Sequence, residues 1–368
     1  MAVPYLDLGR VRDWIAEELA ERWQRVLAGT AYVLGPEVRE FEWAFAEFLG
    51  AAGCVGVANG TDALVLCLRA LDLGPGDEVI VPAFSFFATA GAVVLAGGVP
   101  VFADVDPATL NLDPGDAAAR VTARTVGVIG VHLYGRPFDL PAIQALCERR
   151  GLWLVEDAAQ AHGASLDGRR VGTFGLAAWS FYPTKNLGCY GDGGAVTGPD
   201  AELLARVRRL ANHGSEQRYV HLEVGTNSRL DSLQAAVLNC RLVHLEADNA
   251  ARRKLACLYQ GWLGRVGDIA FPDDPPGAFS VYHQFAIRTA RRDALLAHLS
   301  ARGVGSSIHY PAPLHRQQAM AALLPDPPDL PAAEAAAREL LCLPMFPELT
   351  VAELDEVAAA VRSFYGGA

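Results

Sequence analysis

The chain has 368 residues, 51% of them hydrophobic and 20% charged, with a formal net charge of -11. A chain of this length buries a large core, naturally as one large domain with a smaller one, and it is too apolar to be disordered. No basic cluster interleaved with aromatics is present, which argues against a nucleic-acid binder, and no apolar run reaches membrane-spanning length.

The opening residues, Met1 to Asp7, carry neither a basic region nor an apolar core, so no signal peptide is expected. The seven cysteines are widely spaced with no C-x-x-C pair, the pattern of free thiols in a reducing cytoplasm. Strand-like runs then occupy residues 54–58, 78–82, 99–105, 126–132, 153–157, 177–182 and 195–197. Helical patterns, such as 62–71 and 140–150, lie between several of them. Strands buried on both faces and separated by helices predict a mostly parallel sheet, whose ligands bind beyond the carboxyl ends of the strands. One long helical pattern runs over residues 228–263, and a Pro/Gly-rich segment follows at 271–277. Residues 282–289 and 304–310 read as strands on either side of a helix, 292–302, that Gly303 stops. A second breaker-rich stretch, 325–331, precedes a last helix with the capping box Thr350 and Glu353. The predicted division is a large domain over residues 1–245 and a smaller C-terminal domain over 246–368.

Four segments carry chemistry. In Val57-Ala58-Asn59-Gly60-Thr61-Asp62 a strand ends, a glycine turns and a helix begins. Free amides and a hydroxyl there suit a phosphate, although, for the segment taken alone, Thr61 as an ordinary helix cap is the better reading. In Leu154-Val155-Glu156-Asp157-Ala158-Ala159-Gln160 an apolar strand delivers a carboxylate at its carboxyl end. Asp157 there could pair with a protonated ring nitrogen or simply cap a loop, and Gln160 could reach the same ligand. The neighbouring acids raise a metal site only weakly, because no second His/Asp/Glu cluster has matching spacing. The third segment is Ser180-Phe181-Tyr182-Pro183-Thr184-Lys185. Lys185 and Lys254 are the two lysines among 31 basic residues. An arginine cannot form a Schiff base, whereas a lysine amine with a lowered pKa can. Lys254 sits in the charged patch Arg252-Arg253-Lys254 on a helix and is read as solvated. The fourth, Gly225 to Asp231, reads by itself as a helix start with Ser228 as cap. Neither a P-loop nor a dinucleotide fingerprint is present.

A phosphate cradle, an acid for a ring nitrogen and a lysine for an aldehyde are the three handles of pyridoxal 5'-phosphate (PLP). With their order along the chain, and with the late His309-Tyr310-Pro311, they resemble the DegT/DnrJ/EryC1/StrS family of PLP-dependent nucleotide-sugar aminotransferases. The resemblance runs from Leu6-Asp7-Leu8 to the helix after Thr350. It implies the fold-type I aminotransferase architecture: α/β, a large domain with a mostly parallel seven-stranded sheet, and a smaller C-terminal α+β domain. It also implies a cytoplasmic homodimer with shared active sites.

By position, the resemblance makes Lys185 the imine-forming lysine and proton shuttle, and Asp157 the partner of the pyridine nitrogen. Gln160 would face the ring hydroxyl, and Gly60, Thr61 and Ser180 would hold the phosphate. Phe86 would stack on the ring, unless it is a plain core aromatic. Asn227 would reach the cofactor of the partner subunit. Tyr182, His309 and Tyr310 would contact substrate. The expected reaction moves an amino group from L-glutamate, releasing 2-oxoglutarate, to a dTDP- or UDP-linked keto sugar. Gln160 stands where one 4-keto branch has a His, and His132-Leu133-Tyr134-Gly135 favours amination at C3. Arg136 departs from the expected Gln and leaves the local sugar contacts open. A 4-keto aminotransferase, a sugar dehydratase, a PLP-binding regulator and a cofactor-free α/β binding protein are the competing readings. No metal is expected.

Overall fold

Seven of the short apolar runs join into one sheet. The structure, a computed structural model, describes residues 2–323 and 326–366, without the side chains of residues 11–14. Met1 and Pro325, each the first residue of a segment read above, lie outside the described residues. The strands are β1 (Gly53–Val57), β2 (Glu78–Pro82), β3 (Val99–Ala103), β4 (Thr125–Val131) and β5 (Trp153–Asp157). A two-residue hairpin, β6 (Ser165–Leu166) and β7 (Arg169–Arg170), stands outside the sheet, which continues with β8 (Leu176–Ser180) and β9 (Gly194–Gly198). The order across the sheet is β1-β9-β8-β5-β4-β2-β3, and only β9 runs antiparallel to its neighbours.

Alternation along each strand sorts the side chains onto two faces. Val55, Val81, Ile129, Val155 and Ala178 pack with the helices Gly60–Ala70, Ala88–Leu95 and Ala201–Ala211. Cys54, Ile80, Val128, Leu154 and Trp179 pack with the helices Pro36–Leu49, Leu140–Arg150 and Ser232–Leu242. The same alternation decides which way the two acids at the end of β5 face. Asp157 follows Val155 toward the Gly60–Ala70 helix, and Glu156 follows Leu154 to the opposite face. A third core joins Leu255, Leu263, Phe285, Ile287, Leu341, Leu343 and Val357. It is built on an antiparallel pair, Phe285–Arg288 with Leu340–Leu343, and on the helix Val351–Phe364, whose Thr350–Glu353 capping box is present as expected.

Two local expectations change, and Lys254 is exposed as expected. The single long helix over 228–263 is two helices, Ser232–Leu242 and Leu245–Leu263. No glycine or proline breaks it; its first half packs into the core under the sheet and its second half into the third core. Residues 304–310 form no strand, because Val304 bridges Val3 while Ser307 bridges Cys342. Arg252 is buried and donates to the Met345 carbonyl at 3.0 Å, while Lys254 beside it is exposed.

The register of β4 on β5 sets Gly127 opposite Trp153 and Val131 opposite Asp157. A Cβ at Gly127 would overlap the Trp153 indole. Gly127→Ala should therefore destabilise the protein by about 1–3 kcal/mol through overpacking. The midpoint of urea unfolding, followed by tryptophan fluorescence, checks this; an unchanged midpoint contradicts it.

Candidate active site

The carboxyl ends of β1, β5 and β8 converge on one cleft. At β1 the chain enters the helix Gly60–Ala70 through Asn59, whose Oδ1 accepts the Asp62 amide at 2.8 Å. Asn59 is therefore the cap, not Thr61, and the amides of Gly60 and Thr61 are left at the helix N-terminus, where an anion is favoured. A Cβ at Gly60 would stand 2.7 Å from Ser180 Cβ, so glycine is what lets the helix start approach the end of β8. Ser228 is not a helix cap. Its Oγ accepts the Ala58 amide at 3.1 Å, and the helix begins instead after Asp231.

At the end of β5, Glu156 and Asp157 do different work. Glu156 accepts the amides of Gly172 and Phe174, both at 2.8 Å, and that of Gly175 at 3.2 Å, and it pairs with His132 at 3.1 Å. It holds a loop. Asp157 accepts the Thr89 hydroxyl at 2.8 Å and the Ala159 amide at 3.2 Å. Burial pushes the Asp157 carboxyl upward, against the opposing pull of these two donors, of Lys185 and of His132.

Lys185 lies in the turn after β8, where its amide bonds the Tyr182 carbonyl at 2.8 Å. It is half-buried as a residue, and its amine is desolvated by the walls of the cleft. Burial pulls its pKa down to about 8, and the attraction of Asp157 only partly offsets this. Two histidines frame it. His162 is fully buried against Trp179 and Phe181, and His283 is buried against Asn186; burial lowers both pKa values, and the Lys185 charge lowers them further.

Gln160 has a fixed orientation. Its Oε1 accepts the Tyr134 amide at 2.6 Å, and its Nε2 points to the Tyr310 hydroxyl at 3.3 Å. The Tyr134 hydroxyl in turn donates to the His309 carbonyl. Phe86 is exposed, its ring 6.0 Å from that of Tyr310, whereas Phe84 is the core aromatic of that loop. Tyr182 is exposed beside the lysine turn. Asn227 is also exposed and lines a separate polar cleft of about 560 Å³ with Ala58, Asp192, Arg229 and Gln234. Arg136 donates to Asp274 at 2.7 Å, a carboxylate that also accepts from Ser280 and Tyr282. Thr89 and His283 were not singled out from the sequence. Thr89 and His283 are far in sequence from the residues they serve, and only the fold shows the link.

The sequence profile of the DegT/DnrJ/EryC1/StrS aminotransferase family matches residues 13–362. The chain belongs to this family. It is 46% identical over 363 residues to dTDP-3-amino-3,4,6-trideoxy-alpha-D-glucose transaminase of Streptomyces venezuelae, covering 98% of this chain and 96% of that one. It is 44% identical to UDP-2-acetamido-2-deoxy-3-oxo-D-glucuronate aminotransferase of Pseudomonas aeruginosa, covering 98% and 100%. It is also 44% identical to a protein of Geobacillus stearothermophilus named pleiotropic regulatory protein, covering 99% of each. The crystal structure of S. venezuelae DesV in complex with a ketimine intermediate superposes with a TM-score of 0.97, at 45% identity, covering 100% of this chain and 99% of that one.

Like the family, this chain is a PLP-dependent aminotransferase. The residues present fit the cofactor. Gly60 leaves room for two helix-start amides beside a serine hydroxyl, Asp157 is a desolvated carboxylate that a cationic ring nitrogen would relieve, and Lys185 is an amine held near neutrality. Among the described residues, no helix is long and apolar enough to cross a membrane.

Two outcomes follow. Lys185 is a base whose pKa is depressed to about 8, so its nucleophilic amine is scarce below that pH and abundant above it. Stopped-flow measurement of yellow colour should show cofactor capture by the stripped protein accelerating as pH rises through that value, then levelling; a flat profile contradicts it. Thr89→Val removes a donor that stabilises ionised Asp157, so the acid limb of the pH–rate profile should move to higher pH. An unmoved limb contradicts that.

Proposed function

We propose that this chain transfers an amino group from L-glutamate to the C3 keto carbon of a dTDP- or UDP-linked keto-deoxysugar, as a cytoplasmic homodimer. The observation that carries the amino-transfer chemistry is Lys185, a single desolvated amine that shares a cleft with a buried carboxylate. The names of the S. venezuelae and P. aeruginosa relatives, a 3-amino and a 3-oxo sugar, support C3 and the nucleotide-sugar class.

When bound, PLP supplies an electron sink for the carbon that loses its proton. The rest is the work of this chain. The Gly60 and Thr61 amides and the Ser180 hydroxyl would hold the phosphate. Asp157 would keep the proton on the ring nitrogen, and Thr89 favours the ionised form of Asp157. Gln160, its Oε1 taken by the Tyr134 amide, would offer Nε2 to the ring hydroxyl, and Phe86 would pack on the ring. Lys185 Nζ, in the neutral form that a pKa lowered to about 8 makes accessible, takes the proton from the donor α-carbon and later delivers one to the former keto carbon. Tyr182, His309 and Tyr310 contact the sugar nucleotide. Asn227 reaches the partner subunit's cofactor phosphate, which makes the dimer a condition of activity. Residues 1–245 form the cofactor-binding unit in this reading, and 246–368 the smaller one.

The name of the Geobacillus relative supports one second reading, a PLP-binding regulator. Turnover separates the two. The purified protein should be yellow, lose that colour with L-glutamate, and aminate dTDP- or UDP-keto sugars at C3 by product NMR. Amination at C4 overturns the regiochemistry, and colour that glutamate leaves untouched favours the regulator. Lys185→Ala should lower turnover at least ~10²–10⁴-fold, the range of a lost general acid–base. A Lys185→Ala variant with wild-type turnover removes the assignment.

A further inference from the structure

Arg241 is an arginine in an unusual place. It lies on the helix Ser232–Leu242, which packs under the sheet, and is 8% exposed. Burial lowers its pKa, and Asp248, the nearest opposing influence, only partly compensates. Holding a guanidinium there is costly unless its donors are well placed. They are directed at one loop. Nη1 donates to the Gly188 carbonyl at 2.6 Å and Nη2 to the Asn186 carbonyl at 3.3 Å. Those carbonyls belong to the turn that immediately follows Lys185.

The same turn is gripped from the side. Asn186 is 3% exposed; its Nδ2 donates to Asn249 Oδ1 at 2.9 Å and to the Val281 carbonyl at 3.1 Å, and its Oδ1 meets His283 Nδ1 at 3.1 Å. Asn249, on the next helix, donates onward to the His162 carbonyl at 2.8 Å. Gly188 closes the turn, since a Cβ there would stand 2.6 Å from the Pro183 carbonyl. The backbone after Lys185 is thus fixed from below by a helix under the sheet and laterally by Val281 and His283 of the C-terminal part.

The chemistry explains the need. A lysine side chain is a flexible four-carbon stem, so its amine is only as well placed as its Cα. A misplacement of about 1 Å can cost a proton transfer ~10²-fold. We infer that Arg241 and Asn186 are positioning residues: the buried guanidinium and the carboxamide clamp the backbone of the Lys185 turn so that the amine stays opposite Asp157. The inference rests on the role proposed for Lys185, but its first readout does not require turnover.

Arg241→Met and Asn186→Ala test it in the full-length holoprotein. Hydrogen–deuterium exchange should speed up at least ~10-fold in residues 182–190 and stay unchanged in β5, a local opening rather than a global one. Turnover should fall ~10–100-fold while the KM for the amino donor moves less than ~3-fold, as expected for lost alignment in the transition state. The isotope effect with α-deuterated donor should rise, because proton transfer becomes slower than the other steps. Arg241→Lys, which keeps the charge but not the fork, should restore part of the rate. Unchanged exchange over 182–190 overturns the clamp. So does faster exchange in β5 as well, which marks general loosening. If Arg241→Met does not fold, Asn186→Ala carries the same readouts. Failure of the wild type to transfer amino groups would sink the role of Lys185 while leaving the exchange result to decide the clamp.

Discussion

Desolvation of two opposite charges in one cleft is the constraint on which the site depends. Burial raises the Asp157 carboxyl and lowers the Lys185 amine, so each is pushed toward its neutral form. Their mutual attraction opposes both shifts. Neither charge is fully compensated by protein alone: Asp157 has one hydroxyl and one amide donor, and the histidines beside Lys185 are held neutral. In the function proposed above, a cationic ring nitrogen at Asp157 and an aldehyde at Lys185 would relieve both at once. The cleft is therefore built to be completed by a ligand, and its unbalanced polarity is a functional property rather than a defect of packing.

The sheet creates that cleft by register and alternation. Val131 opposite Asp157 brings the ends of β4 and β5 level, and Asp157 opposite Ala178 lets β8 run two residues further, to Ser180. Alternation then separates the adjacent acids. Glu156 stabilises the 172–175 loop from one face, and Asp157 is left for chemistry on the other. Glycines act at the points of closest approach: Gly60 against Ser180, and Gly127 against Trp153. Each works by lacking a Cβ, not by adopting an unusual backbone.

Several parts of this were legible in the sequence. The seven strands of the large sheet all overlap the short, mainly apolar runs of the sequence, because a doubly covered strand is apolar along most of its length. Lys185, Asp157, Gly60 and Ser180 were readable because each sits at a strand end inside a local pattern. Thr89 was not, because its hydroxyl meets Asp157 across a separation of 68 residues. Arg241 was hidden inside a helix, with nothing in its neighbours to mark it. The division of 228–263 into two helices has no breaker to announce it, and Ser228 looked like a cap although its hydroxyl serves β1.

The sequence alone determined the chemistry on offer and the chain's family: one lysine in the right company, one strand-end aspartate, a glycine at a helix start. Those are local facts, set by residue type and spacing. Only the tertiary structure decided which atoms those groups face. Asp157 turns toward the helix Gly60–Ala70 and Glu156 away from it through strand register. Gln160 presents its amide nitrogen because Tyr134 takes its oxygen. Arg241 reaches the lysine turn because a helix from more than fifty residues later packs beneath it. Hydrogen bonding and desolvation act over a few ångströms of space, whatever the distance along the chain, and that is why these roles waited for the fold.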